Sequence, residues 1–284
     1  MNIILRRRKL GRTSCREICK GVKDLVVVRN DKPTEATKTW FVSVDTLFRW
    51  GCTSSLEELG IKAVHIINSA AAIHTVNSKG TFREILAGVG LAPKTFVSGG
   101  GDDNLSLPVI IRPVKHAQGK HCYYCDTYLQ MAMAIEEIKG DYYISEYIPK
   151  VAEYRVFVAQ DRAVWVAKKI PKDPVQIAWN VAQGATFENV SWGDWPLKVI
   201  KNAIKCHQLS GLDFSGVDMM VGPDGGVYCL EINSAPSQTS PYRQSCVAKV
   251  FQYIIENGRT SLPLGEKLGG FKKFIHPAIC TEAW

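Results

Sequence analysis

No apolar run in this chain approaches the roughly 20 residues that a membrane-crossing helix needs. The first residues, Met-Asn-Ile-Ile-Leu-Arg-Arg-Arg-Lys, place apolar before basic, the reverse of a secretory signal, so a cytoplasmic protein is expected. There are no internal repeats and no low-complexity tracts. Cysteine is present but not as pairs: the nine (15, 19, 52, 122, 125, 206, 229, 246 and 280) are an odd, scattered set that argues against a disulfide framework. Cys122-Tyr-Tyr-Cys125 has no second Cys-x-x-Cys, and on a strand its two thiols would point to opposite faces, so zinc is not expected. No Ser/His/Asp or Cys/His set has the local context of a hydrolase. The charge excess is small, 35 basic against 27 acidic residues for a net +8. The seven tryptophans are dispersed, so a base-stacking surface is not expected and nucleic acid is not an expected partner. What remains is a chain of 284 residues, 46% hydrophobic, large enough for one big domain or two to three small ones.

The most informative segment is Gly216-Val-Asp218-Met-Met-Val-Gly-Pro-Asp-Gly-Gly-Val-Tyr-Cys-Leu-Glu231-Ile-Asn233. Two β-prone runs flank the turn signal Gly222-Pro-Asp-Gly-Gly226. A two-residue loop at Asp224-Gly225 would set Asp218 directly opposite Glu231, with β-carbons about 5 Å apart. A turn with a glycine bulge would shift that register by one. Side-chain alternation puts Glu231 and Asn233 on one face. Two carboxylates so close repel unless a cation lies between them. An all-oxygen set of two carboxylates and an amide suits Mg²⁺, with Mn²⁺ as the alternative ion. The competing reading is a solvated hairpin whose acids face water.

Elsewhere the pattern alternates strands and helices, an α/β (α+β) arrangement. Strands are expected at 2–5, 25–29, 64–67, 95–97, 108–112, 121–124, 142–147 and 154–168, the last a hairpin turning at Gln160-Asp161. Residues 30–60 read as irregular apart from a short strand near 40–44. Capping boxes at Ser14-x-x-Glu17 and Thr81-x-x-Glu84 predict helix starts there, and further helices are expected at 127–138, 196–209 and 245–255. The stretch from Gly265 to Trp284 has no clear periodicity.

Cations precede the acidic hairpin in a telling order: Lys79 before a capped helix, Arg112 at a strand end, and the polar turn His116-Ala-Gln118-Gly119-Lys120. With Ser145-Glu146-Tyr147-Ile148-Pro, Glu153 seven residues after Glu146, and Asp218, Glu231 and Asn233, this order resembles the ATP-grasp superfamily over residues 64–240. Within it the chain is similar to carboxylate–amine ligases, the ribosomal glutamate ligases and, closer still, ligases encoded by some bacteriophages. Glu153-Tyr-Arg155, Lys168-Lys169 and Trp179-Asn180 to Gly184 carry that likeness. Arg112 replaces the family's usual lysine, and Gly216 stands where some relatives have an arginine that holds the reacting carboxyl group. The first 60 residues match nothing.

The resemblance implies an ATP-grasp fold, two lobes clasping ATP behind a small N-terminal α/β domain. The implied boundaries are residues 1–74 for that domain, 75–150 for the small lobe with its phosphate lid, and 151–284 for the lobe with the metal hairpin. Glu146, Tyr147 and Ile148 would meet adenine and Glu153 the ribose. Lys79, Arg112, Gln118 and Gly119 would hold phosphates, and Asp218, Glu231 and Asn233 the metal. Arg155, Lys168 and Asn180 would serve the chemistry, with Lys169 a further cation. The implied reaction joins a carboxylate to an amine (an amino acid, peptide or protein end) through an acylphosphate, in a bacterial host's cytoplasm if the chain is phage-encoded. A homo-oligomer is left open. A kinase acting on an alcohol and a non-catalytic nucleotide- or nucleic-acid-binding protein are the alternatives.

Overall fold

A computed structural model describes residues 1–31, 42–98, 106–114, 121–179 and 181–262. It is a mixed α/β structure built on three sheets. The first is parallel, in the order β2-β1-β3-β4, from β1 (Asn2–Arg6), β2 (Leu25–Arg29), β3 (Val42–Trp50) and β4 (Ile61–Ile67), with α1 (Arg12–Lys20) joining β1 to β2. Helices α2 (Ala70–Asn77) and α3 (Lys79–Gly88) lead to an antiparallel sheet, β5-β8-β6-β7. Its strands are β5 (Thr95–Val97), β6 (Val109–Pro113), β7 (Tyr123–Cys125) and β8 (Tyr142–Glu146), with α4 (Tyr128–Ile138) between the last two. The third, β11-β10-β9-β12-β13, comprises β9 (Ala152–Ala159), β10 (Arg162–Ile170), β11 (Thr186–Asn189), β12 (Phe214–Val221) and β13 (Val227–Asn233). Helices α5 (Leu197–Ser210) and α6 (Pro241–Asn257) complete the described elements. Among the described residues, no helix is long and apolar enough to cross a membrane.

The pattern locates most elements and misplaces several ends. Val42–Trp50 is one nine-residue strand, not a short strand at 40–44 in an irregular region. Its Asp45, Thr46 and Arg49 break the apolar pattern. Yet Arg49 is buried and donates from Nη1 to the carbonyls of Cys52 (2.9 Å) and Ser54 (2.8 Å), so one end of its guanidinium is met locally although Nε is left unpartnered, and the strand occupies the sheet interior. Ser14 does not cap α1, which starts at Arg12 behind Gly11 with its φ of 64°. The Ser14 hydroxyl instead accepts from Gln238 N (2.8 Å) and donates to its carbonyl (3.2 Å), a link across 224 residues that no local motif announces. Thr81 likewise lies inside α3, whose N-cap is Ser78; Glu84 accepts from Val97 N instead. Helix α2 is not among the expected helices; Ser69 caps it by accepting from the N–H of Ala72 (3.1 Å). Thr127 does cap α4, in a box with Gln130. The hairpin at Gln160-Asp161 is present, and α6 begins four residues earlier than 245. The stretch 265–284 lies outside the described residues.

The five-stranded sheet is the base of the site. One face packs on α2, α3 and α5 through Val156, Val158, Val166, Val217 and Met219. The other changes character along its length. At one end Phe157, Trp165 and Phe214 join Phe48, Trp50 and Phe251 in an aromatic core beneath α6 and the first sheet. Burying such side chains is worth about 1.5–3 kcal/mol each. Two to six residues along the same strands, the same face presents Arg155, Glu153, Lys169, Asp218 and Met220, because alternation keeps every second side chain on one side. A hydrophobic anchor thus passes directly into a charged floor.

His207, buried on α5 with Nδ1 2.8 Å from Ser215 Oγ, offers a test of this packing. Burial pushes its pKa down to about 4, whereas an unfolded chain titrates near 6.5. Between those values the unfolded state binds the extra proton. Stability is therefore full above pH ~6.5 and falls as the pH drops toward 4. Urea unfolding from pH 7 to pH 4 is expected to show about 3 kcal/mol of pH-dependent loss that is absent from His207→Gln.

Candidate active site

The site begins with the hairpin of β12 and β13. Its turn spans Gly222 to Gly226, closed by Gly222 N to Gly226 O (2.8 Å) and Gly225 N to Gly222 O (3.0 Å), with Gly225 at φ 75°. Next to the turn Val221 pairs with Val227, Met220 with Tyr228 and Met219 with Cys229, one residue out of the register a two-residue loop would give. A bulge at Leu230 then restores it, so Asp218 pairs with Glu231 and Gly216 with Asn233. The opposition of the two acids holds, through a shift and its cancellation. The bulge has a second effect. Val227, Cys229 and Ile232 face the helix-side core, whereas Leu230 and Glu231, though consecutive, both line the cleft.

Each acid has a cationic partner. Asp218 takes a fork from Arg155 (Nε to Oδ1 2.6 Å, Nη2 to Oδ2 2.7 Å), its cross-strand neighbour on β9. Glu231 Oε1 receives Lys79 Nζ at 2.8 Å. Glu153, 2% exposed, is held by Lys150 (2.8 Å) and by Lys169, its cross-strand neighbour on β10. Burial pushes the Asp218 carboxyl up. The charges of Arg155 and Lys169, the hydrogen bonds from Arg155 and the charge of Lys79 outweigh that and hold it below the usual carboxylate range. For Arg155 burial opposes the charge, but Asp218 more than compensates, so the guanidinium stays protonated. Burial lowers the pKa of Lys150, whose Nζ also lies 4.6 Å from the centre of the Trp179 ring.

These groups line a cleft of about 400 Å³ between the second and third sheets. Glu146, Tyr147 and Ile148 form the connection between the sheets, Glu153, Lys169, Asp218 and Glu231 the floor, and the segment from Pro174 to Trp179 another wall. The structure therefore brings together Arg112, Glu146, Tyr147, Ile148, Glu153, Asp218 and Glu231. Lys79 borders an adjoining recess and reaches the floor through Glu231. Arg155 lies against Asp218, and Asn233 sits at the hairpin end, its Nδ2 buried without a hydrogen-bond partner. Lys168 is not in the cleft. It is exposed, pairs with Tyr154 and Glu188, and alternates away from the face that carries Lys169. Gln118, Gly119 and Asn180 lie outside the described residues.

Two further cleft residues had little sequence signal. Lys169 is expected only as a further cation beside Lys168, and its pairing with Glu153 is what places it in the cleft. Arg83, one turn into α3, donates to Leu230 O (3.3 Å) and keeps a buried, unpartnered Nε beside Arg112, whose Nε is also buried and unpartnered. Two arginines facing one cavity with no acid among their described partners form an electropositive wall beside the acidic hairpin.

A cation-lined wall, an acidic hairpin and a connecting segment between two sheets make up the site that comparison with known proteins can now be set against. A family model described as the RimK-like ATP-grasp domain matches residues 94–254. The chain belongs to that family and is an ATP-dependent ligase of the kind that makes C–N bonds. Among solved structures, D-alanine–D-alanine ligase from Bacillus anthracis complexed with ATP superposes with a TM-score of 0.62 at 15% identity, covering 91% of this chain and 95% of that one. The ATP-grasp ligase PsnB complexed with minimal precursor, Mg and ADP gives 0.63 at 13% identity, covering 91% and 97%. At such identities the likeness is one of fold. A comparison with curated protein sequences finds no match.

The Arg155–Asp218 pair can be tested directly. Arg155→Met leaves a buried carboxylate without its counter-charge and is expected to cost about 3–5 kcal/mol in urea unfolding. Adding Asp218→Leu removes the orphaned charge and is expected to recover a large part of that loss.

Proposed function

We propose that the chain joins a carboxylate to an amine through an acylphosphate, with ATP in the cleft between the second and third sheets. The observation that carries this reading is the cleft's arrangement of charge. Arg83 and Arg112 face the cleft beside the two opposed carboxylates, and Lys169 and Lys150 line it on Glu153. Phosphoryl transfer requires charge neutralisation and in-line placement more than a protein nucleophile. Arg83 and Arg112 would neutralise the inner phosphates, the backbone near Glu146 to Ile148 would meet the base, and residues 75–150 and 151–284 would act as the two lobes, with 1–74 in front of them.

Asp218, Glu231 and Asn233 fit a hard divalent cation such as Mg²⁺. All donors are oxygen, the two acids are directly opposed, and no hydrogen bond to Nδ2 fixes the Asn233 amide. Among the described residues no group of three or more His, Cys, Asp or Glu could hold a metal ion, so a third protein donor here would be the Asn233 amide. A bound ion would supply a Lewis acid for the terminal phosphate oxygens. Around it the protein's own groups divide the remaining work. Arg155 keeps Asp218 ionised and oriented, Lys79 orients Glu231, and Lys169 carries positive charge toward the transferred group while Glu153 fixes its position. Glu153 is the family's ribose acid by position, yet two lysines occupy it here, so contact with the sugar would be shared with Lys150 and Lys169.

Three measurements test the reading. With an acid, an amine, ATP and Mg²⁺, added hydroxylamine is expected to trap a hydroxamate; ADP release without one favours an alcohol kinase. Glu231→Gln is expected to reduce turnover to background with the fold intact. Lys169→Met is expected to lower kcat about 100-fold, whereas Lys168→Met stays within about threefold of the parent, as suits an exposed residue off the cleft.

A further inference from the structure

On the site-facing side of the five-stranded sheet, side chains fall into rows across the strands. One row runs Asn189, Ala167, Arg155, Asp218 and Glu231. The next, toward the hydrophobic end, holds Phe157, Gly216 and Asn233. The chain after Asn233 comes down over this row. A β-carbon on Gly216 would lie 2.6 Å from Pro236 Cβ, so a side chain there would collide with that segment. From Pro236 the chain enters α6, whose third residue, Arg243, lays its guanidinium against the sheet at the Asn189 end of the first row. Arg243 is 4% exposed. Its Nε donates to Asn189 Oδ1 at 2.9 Å and its Nη2 to Phe187 O at 3.2 Å.

Three cations surround one aromatic ring. The centre of Phe187 lies 4.7 Å from Arg155 Cζ, 5.4 Å from Lys169 Nζ and 5.7 Å from Arg243 Cζ. The acids nearby are already committed. Asp218 takes the fork of Arg155, and Glu153 is shared by Lys169 and Lys150. Arg243 has no acid in reach among the described residues, and both of its bonds go to neutral oxygens. Burial, and after it the charge of Arg155, lowers its pKa. A buried cation with no acid, set beside a second cation, costs stability. Among the described residues the Nη1 groups of Arg155 and Arg243 have no hydrogen-bond partner, so both guanidiniums keep donors for an anion. Phe187, Arg155 and Arg243 do not line the nucleotide cleft, whose walls reach only Lys169 and Asp218 on this side. The cationic group borders the cleft and is not part of it.

We propose that Arg243, with the open Nη1 of Arg155, seats the reacting carboxyl group beside the Asp218–Glu231 hairpin. The identity of the anion rests on the ligase reading above; the presence of an anion seat does not. A substrate carboxylate is favoured over a nucleotide phosphate because Arg83 and Arg112 face the nucleotide cleft, whereas Arg243 lies outside it. The bonds to Asn189 and Phe187 fix the guanidinium plane before any substrate arrives, which is the condition for holding a reactant in one orientation.

The test is fluorine NMR of trifluoroacetate, a carboxylate probe, added to the full chain loaded with ADP and Mg²⁺. Saturable line broadening is expected with the parent, and binding about tenfold weaker with Arg243→Met. Lys168→Met, off the cleft, is expected to match the parent. Thermal stabilisation by ADP and Mg²⁺ checks the fold of each protein. If Arg243→Met fails that check, Arg243→Lys takes its place; it keeps the charge but loses the fork, and binding about threefold weaker is expected. Equal binding by the parent and the folded variant, or no saturable binding to the parent, overturns the proposal. A second arm uses an acid–amine pair that drives ADP release. There the variant is expected to raise the KM of the acid about tenfold while the KM of ATP stays within about threefold. A rise for ATP alone, or no rise for the acid, overturns the assignment to the carboxyl group. The trifluoroacetate arm involves no turnover, so its failure is separate from that of the ligase reading, which fails if no acid–amine pair drives ADP release.

Discussion

The buried fork between Arg155 and Asp218 is the interaction on which the site depends. Both side chains lie in the interior, where an unmatched charge is costly and a matched pair roughly breaks even. Its value is therefore positional. It holds a carboxylate ionised at the base of a cleft, on neighbouring strands of a sheet whose other end is anchored by an aromatic core. The same arrangement repeats one step along, where Lys169 meets Glu153, and across the hairpin, where Lys79 meets Glu231. Three acids and their cations form an alternating lattice of charge, and in the two buried pairs removing one member leaves a charge in a low-dielectric surrounding.

That lattice is also a reason for the architecture around it. A parallel sheet, a small antiparallel sheet and a larger antiparallel sheet need not share a site. They do here because β8 ends in the Glu146–Ile148 connection that starts β9, and because α2 and α3 bring Lys79 and Arg83 over the hairpin from the far side of the central sheet. The RimK-like match over residues 94–254 covers the two antiparallel sheets and stops short of the first.

Much of this could be read in the amino-acid order. The hairpin acids, the turn at Gln160-Asp161 and the Thr127 cap are local patterns, and local patterns survive folding. What escaped reading was decided at a distance. Ser14 looks like a cap but is bonded to Gln238 on the other side of the molecule, and Val42–Trp50 hides its strand character behind an arginine whose partners lie beyond its end. Lys168 and Lys169 are chemically identical neighbours. Only pairing with Glu153 separates the one in the cleft from the one outside, and pairing is a long-range fact. The opposition of Asp218 and Glu231 was legible, but its route through a shifted turn and a bulge was not.

The Leu230 bulge couples two places that otherwise look independent. A loop of five residues at the hairpin tip throws the strands out of phase, and the extra residue in β13 brings them back before the acids are reached. Loop length and bulge are thus a matched set. A descendant that trimmed its tip to two residues would have to straighten β13 in the same step or carry its acids out of alignment, and one that kept the bulge would inherit the longer tip with it. Drift at the exposed end of the hairpin is therefore constrained by geometry several residues away, along the strand that follows it.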